Sequence, residues 1–139
     1  MNERKFLTVD VVVNVSAEKA WRYWTEPAHI MQWNNASDDW HTPHATADLR
    51  EGGRFLSRME ARDGSQGFDF NGVFTKVIPQ KVLDYAIEGG RTVSVIFESK
   101  GGTTHITETF EAEDENPLEM QRAGWQSIMD NFKKYAESH

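Results

Sequence analysis

The sequence contains no cysteine, and this absence excludes several kinds of protein. Disulfide scaffolds, thiolate nucleophiles and cysteine-ligated zinc sites all need a sulfur atom that the chain does not have. Basic residues are also few, with 15 Lys and Arg against 22 Asp and Glu, which gives a net charge of -7. Because binding to a phosphate backbone depends on clustered cations, a nucleic-acid partner is not expected.

Long apolar runs are missing as well. No segment approaches the run of about 18 apolar residues that a membrane-spanning helix needs. The first residues, MNERKFLTVDVVV, lack the apolar core and cleavage site of a signal peptide, so we expect a cytoplasmic protein without membrane insertion. The length of 139 residues suits one domain, and no repeat or linker divides the chain. The sequence therefore predicts a single domain over residues 1–139.

The N-terminal part predicts a strand followed by two short helices. From Leu7 to Val15, apolar residues alternate with mostly polar ones, which is typical of a strand with one buried face. Ser16 is a suitable N-cap for a helix that carries Trp24. Pro27 can begin a second short helix, because the N–H that proline lacks would be unpaired at that position anyway.

The middle of the chain predicts an antiparallel meander of about six strands. Asp63-Gly64 and three Gly-Gly pairs are turn signals between short segments of alternating residues. Phe55 and Met59 share one face of such a segment, and Tyr85 lies on the apolar face of another. The order of strands and helices predicts an α+β protein.

The C-terminal segment predicts a long amphipathic helix. Asn116, Pro117 and Glu119 stand where an N-cap, a first-turn proline and a capping-box glutamate would be. The apolar residues that follow fall within about 140° of the helical wheel. A curved sheet wrapped around this helix would bury the apolar faces of both.

Two polar residues lie among apolar positions of this pattern. Glu108 alternates with Ile106 and Phe110, so it points inward if they do, and it could then act as an acid, a base or a ligand anchor. Alternatively, the threonine face of this strand is inward and Glu108 is solvated. Gln121 falls within the apolar stripe of the helix, where it either binds a ligand or meets water near the helix end.

Gly124 lies in the same stripe, although glycine lowers helix stability by about 1 kcal/mol relative to alanine. The small residue could leave space for a ligand between helix and sheet. It could also allow tight packing against a ring such as that of Trp21 or Trp24, which is the commoner requirement in a protein core. The sequence favours tight packing.

Five stretches resemble the family named for the activator of the heat-shock protein 90 ATPase. They are SAEKAWRYWTEPAHIMQW near the start, DLREGGRF (48–55), FNGVFTKVIPQKVLDY (70–85), THITETFEAE (104–113) and MQRAGWQSIMDNFKKY (120–135). That family belongs to the START-like, birch-pollen-allergen-like superfamily. The resemblance implies the helix-grip fold, a curved seven-stranded antiparallel sheet wrapped around a long C-terminal helix, with two short helices between the first and second strands. It also implies a cavity between sheet and helix, which in relatives receives apolar molecules.

The resemblance transfers no catalytic role. Most single-domain members have no assigned activity, and the family has no universal catalytic motif. The chain also lacks a GxSxG nucleophile motif and a phosphate-binding glycine loop. The activator that names the family carries a separate N-terminal domain for which 139 residues leave no room, so a chaperone partner is not expected.

The segment WNNASDDWHTPH, residues 33–44, has the spacing of neither a helix nor a strand. Its aspartates and histidines are metal-binding residue types, but Pro43 prevents a helix from presenting both histidines on one face, so no metal site is expected. In the resembling fold this segment lies beside the cavity mouth. We interpret it as a lid in which Trp33 and Trp40 are anchors.

We predict that the protein binds a small apolar or amphipathic molecule in this cavity, without a cofactor, as a monomer or weak homodimer. One alternative is a cyclase- or hydrolase-like enzyme that uses an inward carboxylate, and another is a chaperone-associated interaction domain. The candidate ligand-binding residues are Trp24, Trp33, Trp40, Phe55, Met59, Phe70, Phe74, Tyr85, Glu108, Gln121, Trp125 and Ile128.

Overall fold

The elements follow the predicted order of one strand, two short helices, six strands and a long helix. The computed structural model describes residues 5–139, so the first four residues of the predicted domain lie outside it. No helix within this range is long and apolar enough to cross a membrane. The strands are β1 (Phe6–Val13), β2 (Trp40–Ala47), β3 (Arg54–Ala61), β4 (Gly67–Ile78), β5 (Val82–Ile87), β6 (Thr92–Lys100) and β7 (Thr103–Glu111). The helices are α1 (Ala17–Thr25), α2 (Pro27–Trp33) and α3 (Leu118–Ser138), and a 3-10 turn (Glu88–Gly90) joins β5 to β6.

The seven strands form one antiparallel sheet in the order β1-β7-β6-β5-β4-β3-β2. Short connections join the consecutive strands from β3 through β7 into a meander. The turn from β6 to β7 uses Gly101 and Gly102, both with positive φ. Two consecutive positive φ values match the right-handed twist of a hairpin, and glycine adopts them without a steric penalty. The helices α1 and α2 carry the chain from one sheet edge to the other. The sheet curls into a half-barrel, which confirms the predicted helix-grip fold.

The second half of α3 is the part that is buried most deeply. Met129, Phe132 and Ala136 are fully buried in the same core as the inward residues of β1. The ring of Phe132 packs edge-to-face with Trp24 at 4.9 Å and with Trp33 at 5.0 Å between centroids, so α1 and α2 close this end of the core. Edge-to-face rings add about 0.5–1.5 kcal/mol per pair beyond the area that they bury.

The start of α3 differs from the capping-box prediction, which was wrong. The N-cap is Pro117, which has no side-chain hydrogen bond, and Glu119 pairs with Arg122 at 2.8 Å. Asn116 is engaged elsewhere, because its backbone N–H donates to the Glu113 carboxylate at 2.7 Å and its Nδ2 donates to the same group at 3.3 Å. Hydrogen bonds between Asn116 and Glu113, in the loop before the helix, thus take the place of the predicted N-cap interaction.

The segment of residues 33–44 is also more regular than its sequence indicates. The helix α2 ends at Trp33 and β2 begins at Trp40, so only residues 34–39 form a loop. Pro43 is tolerated because β2 is an edge strand whose pairing register shifts between His41 and His44. The interpretation of residues 33–44 as a segment without strand structure was wrong, since a proline and a β-bulge hide the strand pattern.

Gly124 provides a stability test. A Cβ atom built at Gly124 would meet no neighbouring atom within 4 Å, so the favoured explanation of tight packing was wrong. We expect Gly124→Ala to raise the free energy of unfolding by about 1 kcal/mol, because alanine is the better helix former and its methyl group enters open space. Urea denaturation of both proteins measures the change.

Gly72→Ala is the matched control, because a Cβ atom there would lie 2.3 Å from the Ala86 carbonyl oxygen. This substitution should lower the free energy of unfolding. A Gly124→Ala protein that is destabilised to a similar degree would contradict the presence of open space beside α3.

Candidate functional site

A cavity of about 460 Å³ lies between the concave face of the sheet and the first half of α3. Its volume falls within the range of about 300 to 1,000 Å³ that is typical of small-molecule sites. Most of its wall is aromatic or aliphatic, and part of its boundary is open to solvent. The space exists because the buried second half of α3 is held close to β1, whereas Trp125 and Ile128 of the first half are only partly buried.

The sheet side of the cavity is a cluster of four rings. The ring of Phe55 lies 5.0 Å from Tyr85, 5.1 Å from Phe74 and 5.9 Å from Phe70 between centroids. Phe55 is directly opposite Gly72 in the pairing of β3 with β4, and a Cβ atom at Gly72 would come within 2.9 Å of the Phe55 ring. A residue without a side chain is therefore needed beneath this ring.

On the helix side, Trp125 packs against the inner face of the sheet. It stacks on the fully buried Phe110 of β7, with centroids 4.0 Å apart and ring planes 6° apart. It also makes a T-shaped contact with Phe70, with the ring centroids 6.3 Å apart. Trp125 thus spans the gap between α3 and the sheet, and Ile128 lines the cavity one helical turn further along.

Glu108 lies on the inner face of β7 and is only 5% exposed. The alternation is complete, since Thr104, Ile106 and Phe110 on the same face are all fully buried. The alternative in which the opposite threonine face is inward and Glu108 is solvated does not hold. Glu108 lines the cavity together with Tyr85.

Burial raises the pKa of Glu108 from 4.5 to about 8, because the ionised form is disfavoured away from water. A hydrogen-bonding interaction with the Tyr85 hydroxyl offsets part of this rise. Burial, together with the nearby Glu108, raises the pKa of Tyr85 well above its usual value of 10. At neutral pH both groups are therefore mainly protonated. One hydroxyl hydrogen is used in the bond between them, and the other can be donated to a carbonyl or hydroxyl oxygen in the cavity.

Gln121 is buried, but its amide is engaged with the protein itself. Its Nε2 donates to the backbone oxygens of Glu113 at 3.1 Å and Asn116 at 2.8 Å, and its Oε1 accepts from the Glu113 N–H at 2.9 Å. The side chain thus holds the loop before α3 against the helix. Neither sequence interpretation included this role, because a helical wheel does not show which loop folds over a residue.

The two tryptophans of the predicted lid have different positions. Trp33 is buried, and its Nε1 donates to the Tyr23 carbonyl at 2.9 Å, so it is part of the inner wall. Trp40 is only partly buried and lies 5.8 Å from the ring of Phe68, which is 49% exposed. Trp40 and Phe68 together form an aromatic rim at the cavity mouth.

The metal-binding residue types in this segment do not come together. Within residues 5–139, no group of three or more His, Asp or Glu residues is placed to hold a metal ion. The imidazole of His41 has the Glu60 carboxylate as its nearest acidic partner, at 4.0 Å.

The structure places all the candidate ligand-binding residues on the wall of this one cavity. Their role in binding stays a prediction. Sequence reasoning missed seven polar lining residues, which are Thr25, Asn34, Thr46, Ser57, Arg91, Glu113 and Asn116. Two of these follow the same alternation that placed Glu108, because Ser57 lies between Phe55 and Met59 on β3, and Arg91 precedes the buried Val93 by two residues.

Proteins of known structure share this architecture. An AHSA1-like protein from Aeromonas hydrophila is 43% identical, with a TM-score of 0.91 over 96% of this chain and 93% of that one. The protein Chr148 from Cytophaga hutchinsonii is 48% identical, with a TM-score of 0.82 over 94% of this chain and 91% of that one. At 17% identity, an Aha1 dimer from Colwellia psychrerythraea shows similarity of fold alone, with a TM-score of 0.75 over 96% of both chains.

The sequence also matches the family described as Activator of Hsp90 ATPase homolog 1-like protein over residues 14–137. The match covers most of the chain and includes the stretches quoted above for the resemblance. No curated protein matches the sequence.

The buried Glu108 predicts a pH-dependent stability. The folded protein holds its proton more tightly than the unfolded chain, so the stabilising effect of protonation is complete below about pH 4.5 and is lost as pH rises to about 8. Over that window the free energy of unfolding should fall by up to about 1.4 kcal/mol per pH unit relative to Glu108→Gln. Urea denaturation of both proteins between pH 5 and pH 9 measures the difference.

Glu98→Gln is the matched control, because Glu98 is an exposed carboxylate on the outer face of β6. Its stability profile should run parallel to that of the unmodified protein. Parallel profiles for Glu108→Gln as well would show that the Glu108 carboxylate ionises normally in the folded state.

Proposed function

This chain belongs to the Activator of Hsp90 ATPase homolog 1-like family, and from that premise we propose that it binds a small apolar or amphipathic molecule in the cavity. The fold is consistent with ligand binding. The observation that supports the proposal most directly is the cavity wall itself, which is mainly aromatic and aliphatic with a few inward polar groups. Such a wall is typical of sites that bind small organic molecules.

The aromatic rings of the cavity wall favour the binding of an apolar ligand. Phe55, Phe70 and Trp125 are partly buried in a cavity open to solvent, so some of their surface meets water when the cavity is empty. A ligand that covers apolar surface gains about 25 cal/mol for each Å² removed from water. The stacked pair of Trp125 and Phe110 also holds the helix side of the wall in place before any ligand arrives.

The polar groups of the interior narrow the class of ligand. With Glu108 and Tyr85 both mainly protonated at neutral pH and hydrogen-bonded to each other, the inner wall offers a ligand one remaining hydroxyl donor and little charge. A ligand that carries a carbonyl or hydroxyl oxygen would satisfy this donor. The name of the family by itself does not assign a chaperone partner to this chain.

A cyclase- or hydrolase-like reaction is the second candidate, and the specific observation that favours it is Glu108. A carboxyl group with a pKa of about 8 can donate or accept a proton near neutral pH, as general acid–base catalysis requires. The distinguishing result would be product formation from a bound substrate that Glu108→Gln abolishes while substrate affinity is retained. Unchanged bound molecules in both proteins would exclude this candidate.

A cavity-filling substitution tests the binding proposal. Ser57 is buried on β3 and lines the cavity. We expect the protein to bind N-phenyl-1-naphthylamine, a neutral fluorescent probe, in a 1:1 complex. The larger side chain of Ser57→Leu should weaken this affinity by about tenfold or more, or about 1.4 kcal/mol, because it occupies the ligand space. Fluorescence titration measures both affinities.

Ser94→Leu is the control, because Ser94 lies on the outer face of β6 between the inward Val93 and Val95. It should leave probe affinity unchanged. Failure of the unmodified protein to bind any member of a panel of apolar and amphipathic molecules by native mass spectrometry would overturn the proposal, as would equal affinity in Ser57→Leu.

The aromatic rim gives a separate test at the cavity mouth. Trp40→Ala removes the ring that lies against Phe68, so we expect probe affinity to fall by about three- to tenfold, mainly through faster dissociation. Stopped-flow fluorescence measures the dissociation rate. The interpretation of Trp40 as part of a lid fails if both the affinity and the free energy of unfolding are unchanged.

A further inference from the structure

Arg91 lies at the cavity rim, immediately before β6. Along this strand Val93, Val95 and Phe97 are buried on the concave face, and the alternation of a strand places Arg91 on the same face. Its side chain is partly buried and lines the cavity. Its backbone is fixed, because its carbonyl accepts a hydrogen bond from Ile87 N at 2.8 Å.

The guanidinium of Arg91 makes no hydrogen bond or ion pair with any side chain or backbone group in the described part of the protein. The other arginines there mostly have such partners: Arg22, Arg50, Arg58, Arg62 and Arg122 bind carboxylates or a carbonyl. Arg54 has no such partner either, but it is exposed. A partly buried cation without a partner is costly, because it loses water contacts and gains nothing in return.

Besides Glu108, one other acidic residue lines the cavity, and it does not neutralise Arg91. Glu113 also lines the cavity, but its two carboxylate oxygens accept hydrogen bonds from the backbone and side-chain nitrogens of Asn116. It forms no ion pair with Arg91 within the described residues. The fork of donors on Arg91 is therefore available to a group that enters the cavity.

Arg91 and Glu108 mark two polar ends of the cavity with an apolar stretch between them. Glu108 is paired with Val95, which lies four residues after Arg91 on the same face. At about 3.3 Å per residue, the two positions are about 13 Å apart along the sheet. Val93 lies between them, and it is paired with Tyr85 on one side and Phe110 on the other.

We propose that the cavity takes an anionic amphiphile, with a carboxylate or phosphate head group bound by Arg91 and an apolar body that extends past Val93 and Tyr85 towards Glu108. This inference rests on the proposed function and adds the charge and the direction of the ligand. A guanidinium recognises either head group through two parallel hydrogen bonds. Because the chain carries a net charge of -7, its overall field repels anions, so affinity for one must come from a local cation.

The experiment compares amphiphiles that share a ten-carbon chain and differ in the head group. Isothermal titration at pH 7 measures the affinities of decanoate, decyl phosphate, 1-decanol and decyltrimethylammonium for the unmodified protein and for Arg91→Met. We expect at least one anionic compound to bind the unmodified protein about tenfold or more tightly than 1-decanol. Arg91→Met should abolish that preference and change the affinity for 1-decanol by less than about twofold. The anion that binds more tightly identifies the head group.

Two further variants complete the test. Arg22→Met removes one positive charge from an exposed arginine of α1 that lies outside the cavity wall, and it should leave all affinities unchanged. Arg91→Lys keeps the charge but not the fork of donors, so part of the preference for anions should remain.

The possible outcomes separate the two proposals. If none of the four amphiphiles binds, this inference is wrong, and the proposed function is overturned with it when N-phenyl-1-naphthylamine also fails to bind. If 1-decanol binds as tightly as both anions, or if Arg91→Met weakens all of them equally, the assignment to Arg91 is wrong and the binding function stands. A preference for decyltrimethylammonium would also overturn the assignment.

Discussion

The unequal attachment of α3 to the sheet is the constraint on which this structure depends. Its second half is fixed by the buried Phe132, which meets the rings of Trp24 and Trp33. Its first half stands away from the concave face and reaches it through Trp125. Close packing would normally exclude such a gap, because empty space in a core removes dispersion contacts and lowers stability. The aromatic contacts at both ends of the gap let the fold keep it open.

The polar groups of the cavity are arranged by depth. Glu108 and Tyr85 are inside, where burial keeps both of them protonated at neutral pH. Arg91, whose charge is independent of pH in the physiological range, is at the rim. An ionised carboxylate beside the aromatic cluster would destabilise the fold by several kcal/mol. The protonated form of Glu108 keeps a polar group there at a lower free-energy cost. Uncharged donors inside and a cation outside give the two ends of the cavity different chemistry.

Periodicity predicted most of this arrangement, and the failures have identifiable physical causes. Alternation placed Glu108 among inward residues, but alternation alone does not say which face of a strand is buried. A glycine such as Gly124 is compatible with a tight contact or with open space, and only the neighbouring atoms decide between them. The role of Gln121 depends on the loop that folds back over it, and Pro43 is tolerated in β2 because that strand lies at the sheet edge. Both features belong to the tertiary structure, which local sequence patterns do not show. Arg91 could have been found, since it extends the alternating pattern of β6 to the residue just before the strand begins.

The distribution of tryptophan has an optical consequence. The chain has five tryptophans, and the cavity wall holds all of them except Trp21, namely Trp24, Trp33, Trp40 and Trp125. Indole emission responds to the polarity around the ring, and here most of the emitting rings share one small space. Most of the intrinsic fluorescence of the unmodified protein thus comes from tryptophans that line the space a ligand would occupy. Tryptophan emission therefore reports whether the cavity is occupied.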